Sequence, residues 1–303
     1  IFIKAGGDIA IFGLDSSSSS IENPADGGAI TLNAGGDIKT VLANNGGARL
    51  IDSSSDSFSG NAGDGGTITM NAGKDIVTNN VKSSSSSDSG NARDGGTITF
   101  NAGGNIIARQ IDSSSLSSEG NAGNGGTINL FARNGDIGED LDFSLGKIVS
   151  FAVSEEQNAG KGGDIILETN NSIINLQFLT ESSNSTSGTV QFKGSVNLEI
   201  TNTQIVTSRQ SIIIDDSGAG AISITPVEVN EKGQSGNVFI TSNGNLTFNN
   251  SQIESDTKGE NPAGNVNINS PGFIAFNNSR IISDRNSTGD AGNINISADK
   301  GIN

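Results

Sequence analysis

The chain has no Cys, His, Trp or Tyr, and its aromatic content is thirteen Phe. Without His or Cys it lacks the commonest general base, the commonest nucleophile pairs and the usual transition-metal ligands. Any chemistry would rest on carboxylates, Lys or Ser. Basic residues are also scarce: 17 Lys and Arg stand against 33 Asp and Glu, a formal net charge of −16. Nucleic acid is therefore not an expected partner, because that affinity comes largely from Lys and Arg releasing phosphate counterions. No apolar run approaches the roughly eighteen residues that a membrane-spanning helix needs. Lack of Cys is compatible with an exported protein but does not require export.

What is abundant is Gly, 42 of 303 residues, about twice the usual share. The stretch "GNAGDGGTITMNAGKDI", 60–76, could pass for a phosphate cradle. A phosphate loop, however, follows Gly-Lys with Ser or Thr to hold magnesium, and here Asp75 follows Lys74. Self-similarity gives the better reading. "ITLNAGGDI", "ITMNAGKDI" and "ITFNAGGNI" open at Ile30, Ile68 and Ile98, each after a Gly-rich run. The frame extends to ten apolar anchors: Ile1, Ile30, Ile68, Ile98, Ile128, Ile165, Val190, Val238, Val266 and Ile294. Two residues on, each has another apolar residue, mostly with Thr or Asn between, which is the period of a strand with one buried face.

Eight residues after each anchor comes a second apolar position, such as Ile38, Ile76, Ile106, Ile173, Leu198 and Leu246. Ile128 alone departs, reaching Asp136 with Ile137 beside it. A third column follows at Leu14, Val81, Ile111 and Phe178, then two residues later in the frame at Ile205, Ile253 and Ile281. Ile30 to Ile51 and Ile128 to Ile148 need longer detours, read as loops inserted at one corner. Three short strands per repeat cannot bury their apolar face alone, so repeats must stack about 4.8 Å apart with strands paired in parallel. The expected fold is all-β, a right-handed parallel β-helix or β-solenoid. It has about ten coils over 1–303, three short strands per coil and variable Ser/Gly-rich surface loops such as the serine runs at 16–20 and 83–87. Residues 209–236 are an expected excursion from the repeat. Because both ends already lie within the frame, the chain reads as a segment of a longer rod.

Glycines at the corners are expected to supply positive φ and room for the next coil. Asp8, Asp37, Asp75, Asn105 and Asn245 are expected to use their tolerance of the left-handed region there. Asn33, Asn71 and Asn101 share one column and are expected to form a stacked amide ladder. After the third column stand Asp15, Asp52, Lys82 and Asp112. Asp52, Lys82 and Asp112 read as a solvated charge ladder in which Lys82 separates like charges. Two of its carboxylates could alternatively serve as an acid/base pair for glycosidic cleavage. No catalytic or cofactor residues are expected. Weak calcium binding is compatible with the acidic excess, although the repeat lacks the calcium nonapeptide frame.

With the frame established, "SGNVFITSNGNLTFNNSQIESD", "AGNVNINSPGFIAFNNSRIISD" and "AGNINISADKGI", within 235–303, resemble repeats of filamentous-haemagglutinin-like exoproteins, the long cyanobacterial ones above all. Residues 29–131 carry a Gly/Ser-richer version. The resemblance concerns the shaft alone, since the Asn-Pro-Asn motifs of the family's secretion domain are not visible. It implies export by two-partner secretion, an extracellular or outer-surface location, and a role as adhesin or filament. It defines no catalytic residue. The expected function is a structural, adhesin-like rod, self-associating or continuous with further segments of its chain, with cell-surface or matrix glycans as possible ligands. A polysaccharide-binding or polysaccharide-cleaving β-helix is the alternative, disfavoured by the shortage of aromatic residues for sugar stacking.

Overall fold

The computed structural model describes residues 1–40, 50–138, 146–183, 185–194, 198–201, 203–207, 211–215, 223–227, 235–255, 262–283 and 290–303. Among them there is no helix, and the strands stack as a β-solenoid. Each anchor opens one coil, numbered 1 to 10. The first face is a ten-stranded parallel sheet in chain order, from Phe2–Ala5 in coil 1 to Ile294–Ala298 in coil 10. Its register never slips: Thr31 pairs with Thr69, Thr69 with Thr99, Thr99 with Asn129, and so on to Asn267 with Asn295.

The alternation in the sequence explains the core. Ile68, Met70, Ile76, Ile98, Phe100 and Ile106 are fully buried, and the equivalent positions of neighbouring coils join one continuous apolar column. Each such side chain contributes about 1.5–3 kcal/mol by leaving water. Phe178 and Phe192 meet edge to face with ring centroids 4.8 Å apart. The second and third strands of the repeat follow end to end on a second face. In coils 3 and 4 they fuse into Ile76–Lys82 and Ile106–Asp112. In coils 6, 8 and 9 a left-handed Asn separates them: Asn175, Asn250 and Asn278, with φ of 54°, 49° and 50°.

Four local expectations need correction. The serine runs are not surface loops. Ser18–Ser20, Ser55–Ser57, Ser85–Ser87, Ser115–Ser117 and Ala152–Ser154 form a five-stranded parallel sheet, a third face here termed the serine wall. Its inward residues Ser53, Ser55, Ser83, Ser85, Ser113 and Ser115 are completely buried. Across from them runs the Gly-rich segment before each anchor, itself stacked coil on coil by bonds such as Ala62 N–H to Asn91 O (2.9 Å) and Gly65 N–H to Asp94 O (2.9 Å).

The glycines, second, do not serve through positive φ, which among the described residues occurs in glycine only at Gly301. Their need is close approach. At Gly96 a Cβ would collide with the carbonyl oxygen of Gly66 and the hydroxyl of Ser83, and at Gly126 with the corresponding groups of Gly96 and Ser113. Third, Asp8, Asp37, Asp75 and Asn105 are not left-handed; their side chains accept backbone N–H groups from the next coil.

Fourth, the eight-residue rule conceals a step. Ile173 pairs with Ile200, not Leu198, while Leu198 pairs onward with Leu246. Two added corner residues preserve inward alternation, because a shift of two leaves every side chain on its own side. The same addition moves the third column from Phe178 to Ile205, which pair directly. Within 209–236, Ser211–Asp215 and Ser223–Val227 pair antiparallel with each other, while Val190 pairs in the coil frame with Val238. Of the rest of that segment only Ser235 and Gly236 are described, and most of the two inserted corners (41–49 and 139–145) lies outside the described residues.

Candidate functional site

Where the second face turns into the serine wall, an Asp repeatedly fixes the bend by accepting the N–H two residues on. Ser17 bonds Asp15, Ser54 bonds Asp52, and Ser114 bonds Asp112, each at 2.9 Å. The Ser17 hydroxyl and then its N–H hold Asp15 below the usual carboxylate range. Lys82 takes the Asp position in coil 3 and stands in register between Asp52 and Asp112. Its ammonium, however, meets Asp56 at 3.2 Å, an outward residue of the serine wall that the third-column frame did not single out. Ser84, two after Lys82, has no carboxylate to bond, and its buried Oγ is without a hydrogen-bond partner.

Burial lowers the affinity of Lys82 for its proton, but Asp56, Asp112 and Asp52 together outweigh this and hold its pKa above the ordinary Lys value. Burial pushes Asp112 up, against the opposing pull of Ser114 and Lys82. Asp52 and Asp112 lie two coils apart, about 9.6 Å on the strand spacing, with Lys82 between them. The arrangement is a compensated charge cluster with one reluctant carboxylate. Among the described residues no group of three or more Asp and Glu side chains converges as a metal ion would require.

The other repeated polar groups are ladders. Asn71 Nδ2 donates to Asn33 Oδ1, and Asn101 Nδ2 to Asn71 Oδ1, both at 2.7 Å on the outside of the first face. The column ends at Phe131 in coil 5. On one flanking corner, Asp37 N–H donates to Asp8, Asp75 N–H to Asp37, and Asn105 N–H to Asp75. The Lys39 ammonium, with help from the Asp75 N–H, holds Asp37 below the usual carboxylate range. On the other corner Asn61, Asn91 and Asn121 bond in series, beside a column of Asp26, Asp64 and Asp94. The recurring "GNAGDGG", "GNARDGG" and "GNAGNGG" were the visible signal for these two columns.

At the two-residue step between coils 6 and 7 a cleft of about 590 Å³ opens, lined by Asn170, Asn171, Ser172, Leu198, Glu199 and Thr247 among others. Glu199 Oε1 already accepts from Asn249 (2.7 Å) and Thr201 (3.2 Å). The cleft therefore offers amides and hydroxyls rather than a free carboxylate oxygen pair. Comparison with known proteins gives no match among family models, curated proteins or solved structures.

Proposed function

We propose that the chain is a structural, adhesin-like segment of a secreted or cell-surface rod or filament, a rigid support for outward arrays of Thr, Asn and Ser. The observation that carries this reading is the unbroken ten-strand register over one apolar core. Such a column keeps its outward groups at fixed spacing, so many weak contacts can add through avidity. The resemblance within 235–303 supports an extracellular or outer-surface location and export by two-partner secretion. Its partners on this reading are further segments of the same chain, further copies, or surface glycans.

Electron microscopy of the purified chain tests the shaft, with rods about 45–50 Å long expected from ten coils. Glycan-array binding separates an adhesin from an inert scaffold, and fractionation of the producing cell tests its location. A second reading, polysaccharide binding or cleavage, draws on the raised pKa of Asp112 within the Asp52–Lys82–Asp112 cluster. Release of reducing ends by the wild type, lost in both Asp52→Ala and Asp112→Ala, would establish that reading in place of the first.

A further inference from the structure

The first face differs from the rest of the molecule in charge. In a chain of −16, the charged residues at its outward positions are Lys4, Asp164, Glu168 and Lys193, two of each sign. Elsewhere it presents mainly Thr and Asn, including Thr67, Thr69 and Asn71 in coil 3 and Asn265, Asn267 and Asn269 in coil 9. Outward positions on this sheet, Thr31 in coil 2 and Asn295 in coil 10 among them, are exposed or half-exposed. Its apolar outward residues are Phe2 in coil 1, 69% exposed, Phe131 in coil 5, Ile166 in coil 6 and Phe239 in coil 8, 37% exposed. The last three stand among Asp164, Glu168 and Lys193 of coils 6 and 7, so the middle of the face combines apolar area with charges of both signs.

We infer that this face is the contact between two copies of the chain, packed sheet to sheet and antiparallel. The inference deepens the rod reading and rests on it. Area is sufficient: about a two-fold axis between coils 6 and 7, coils 3–10 of the two copies overlap, and eight strands at about 4.8 Å and five residues at about 3.3 Å present about 630 Å² per copy. Two copies would bury about 1,270 Å², within the range of specific interfaces.

Orientation follows from Glu168 and Lys193, which fix the midline. They are neighbours in register, 3.6 Å apart, in coils 6 and 7. A two-fold axis parallel to the strands and between those coils places each opposite its counterpart of opposite sign, an isologous arrangement. Paired sheets carrying asparagine ladders are a stable mode of association.

The test uses the whole 303-residue chain. Sedimentation equilibrium at micromolar concentration is expected to give twice 30.7 kDa for the wild type, and 30.7 kDa for Ile166→Lys and Phe239→Lys with circular dichroism unchanged. Absence of native Cys permits a second measurement that does not depend on those variants. Gln191→Cys, close to the axis, should cross-link to its own mate with a short bismaleimide, and Thr31→Cys, far from it, should not. A wild type that stays monomeric overturns the interface, and if microscopy still shows rods the scaffold reading stands by itself. Monomers retained on insoluble polysaccharide overturn it in favour of a glycan-binding face. A dimer indifferent to both Lys variants, or equal cross-linking at 31 and 191, overturns the proposed face or its direction.

Discussion

Coils 2–5 and coils 8–10 solve the same stacking problem with different third walls. In coils 2–5 the wall is mostly serine, and inward hydroxyls such as those of Ser85 and Ser87 join two backbones. Ser85 Oγ donates to Gly63 O at 2.7 Å and accepts from Arg93 N–H at 2.8 Å, and Ser87 does the same between Gly60 and Gly90. In coils 8–10 no such sheet occurs among the described residues. One hydroxyl column nevertheless continues, as Ser255 donates to Gly236 O (2.8 Å) and Ser283 to Gly264 O (2.7 Å). The glycine column opposite continues too, since a Cβ at Gly264 or Gly292 would strike the carbonyl of the glycine one coil before. The shared minimum is one hydroxyl resting on one glycine per coil. The rest of the wall can change around it.

The largest expected effect should be blind to the difference between halves. Phe192→Ala, fully buried and edge-on to Phe178, should cost about 3–5 kcal/mol, read from urea unfolding. Gly126→Val and Gly264→Val come next, at about 3 kcal/mol each, and should match if the glycine column serves both halves alike. A much smaller loss at Gly264 would show that coils 8–10 relax where coils 2–5 do not. Ser85→Ala should separate the halves. It leaves a buried carbonyl and a partly buried N–H unpaired, a cost of about 1–3 kcal/mol, with faster hydrogen exchange confined to coils 2 and 3.

The smallest effect concerns pH. The fold raises the pKa of Asp112, so it binds that proton more tightly than the unfolded chain does, and ionisation subtracts stability as pH rises through the folded value. Asp112→Asn should therefore raise Tm slightly at neutral pH. The gain should vanish below the ordinary carboxyl value of 3.8. Lys82 carries the complementary dependence: its raised pKa contributes stability below the ordinary value of 10.5 that is lost as pH rises through the folded value.

The apolar columns were legible because Ile, Leu and Val at period two leave few alternatives to a half-buried strand. The serine wall was not, for a physical reason. A buried Ser differs from an exposed one only by its hydrogen-bond partners, and those lie on the Gly-rich segment of the coil, 22 positions away for Ser85 and Gly63. Composition marks both stretches as loop. The Asp52, Lys82, Asp112 register could be read from spacing, whereas the ion pair to Asp56 depends on the wall's inward and outward alternation and so was hidden with it. The step at Leu198 escaped because moving by two residues keeps every apolar side chain inside. Its trace was the change in the third column between Phe178 and Ile205.

That step has a mechanical consequence. The parallel ladders and the side-chain bonds between neighbouring coils lie near the rod axis, so a pull along it loads the coils in series, and extension begins at the weakest junction. Between coils 6 and 7 the second face changes register and a cleft replaces part of the corner packing. Under tension this junction is the expected yield point, where the rod would lengthen before either half lost a coil.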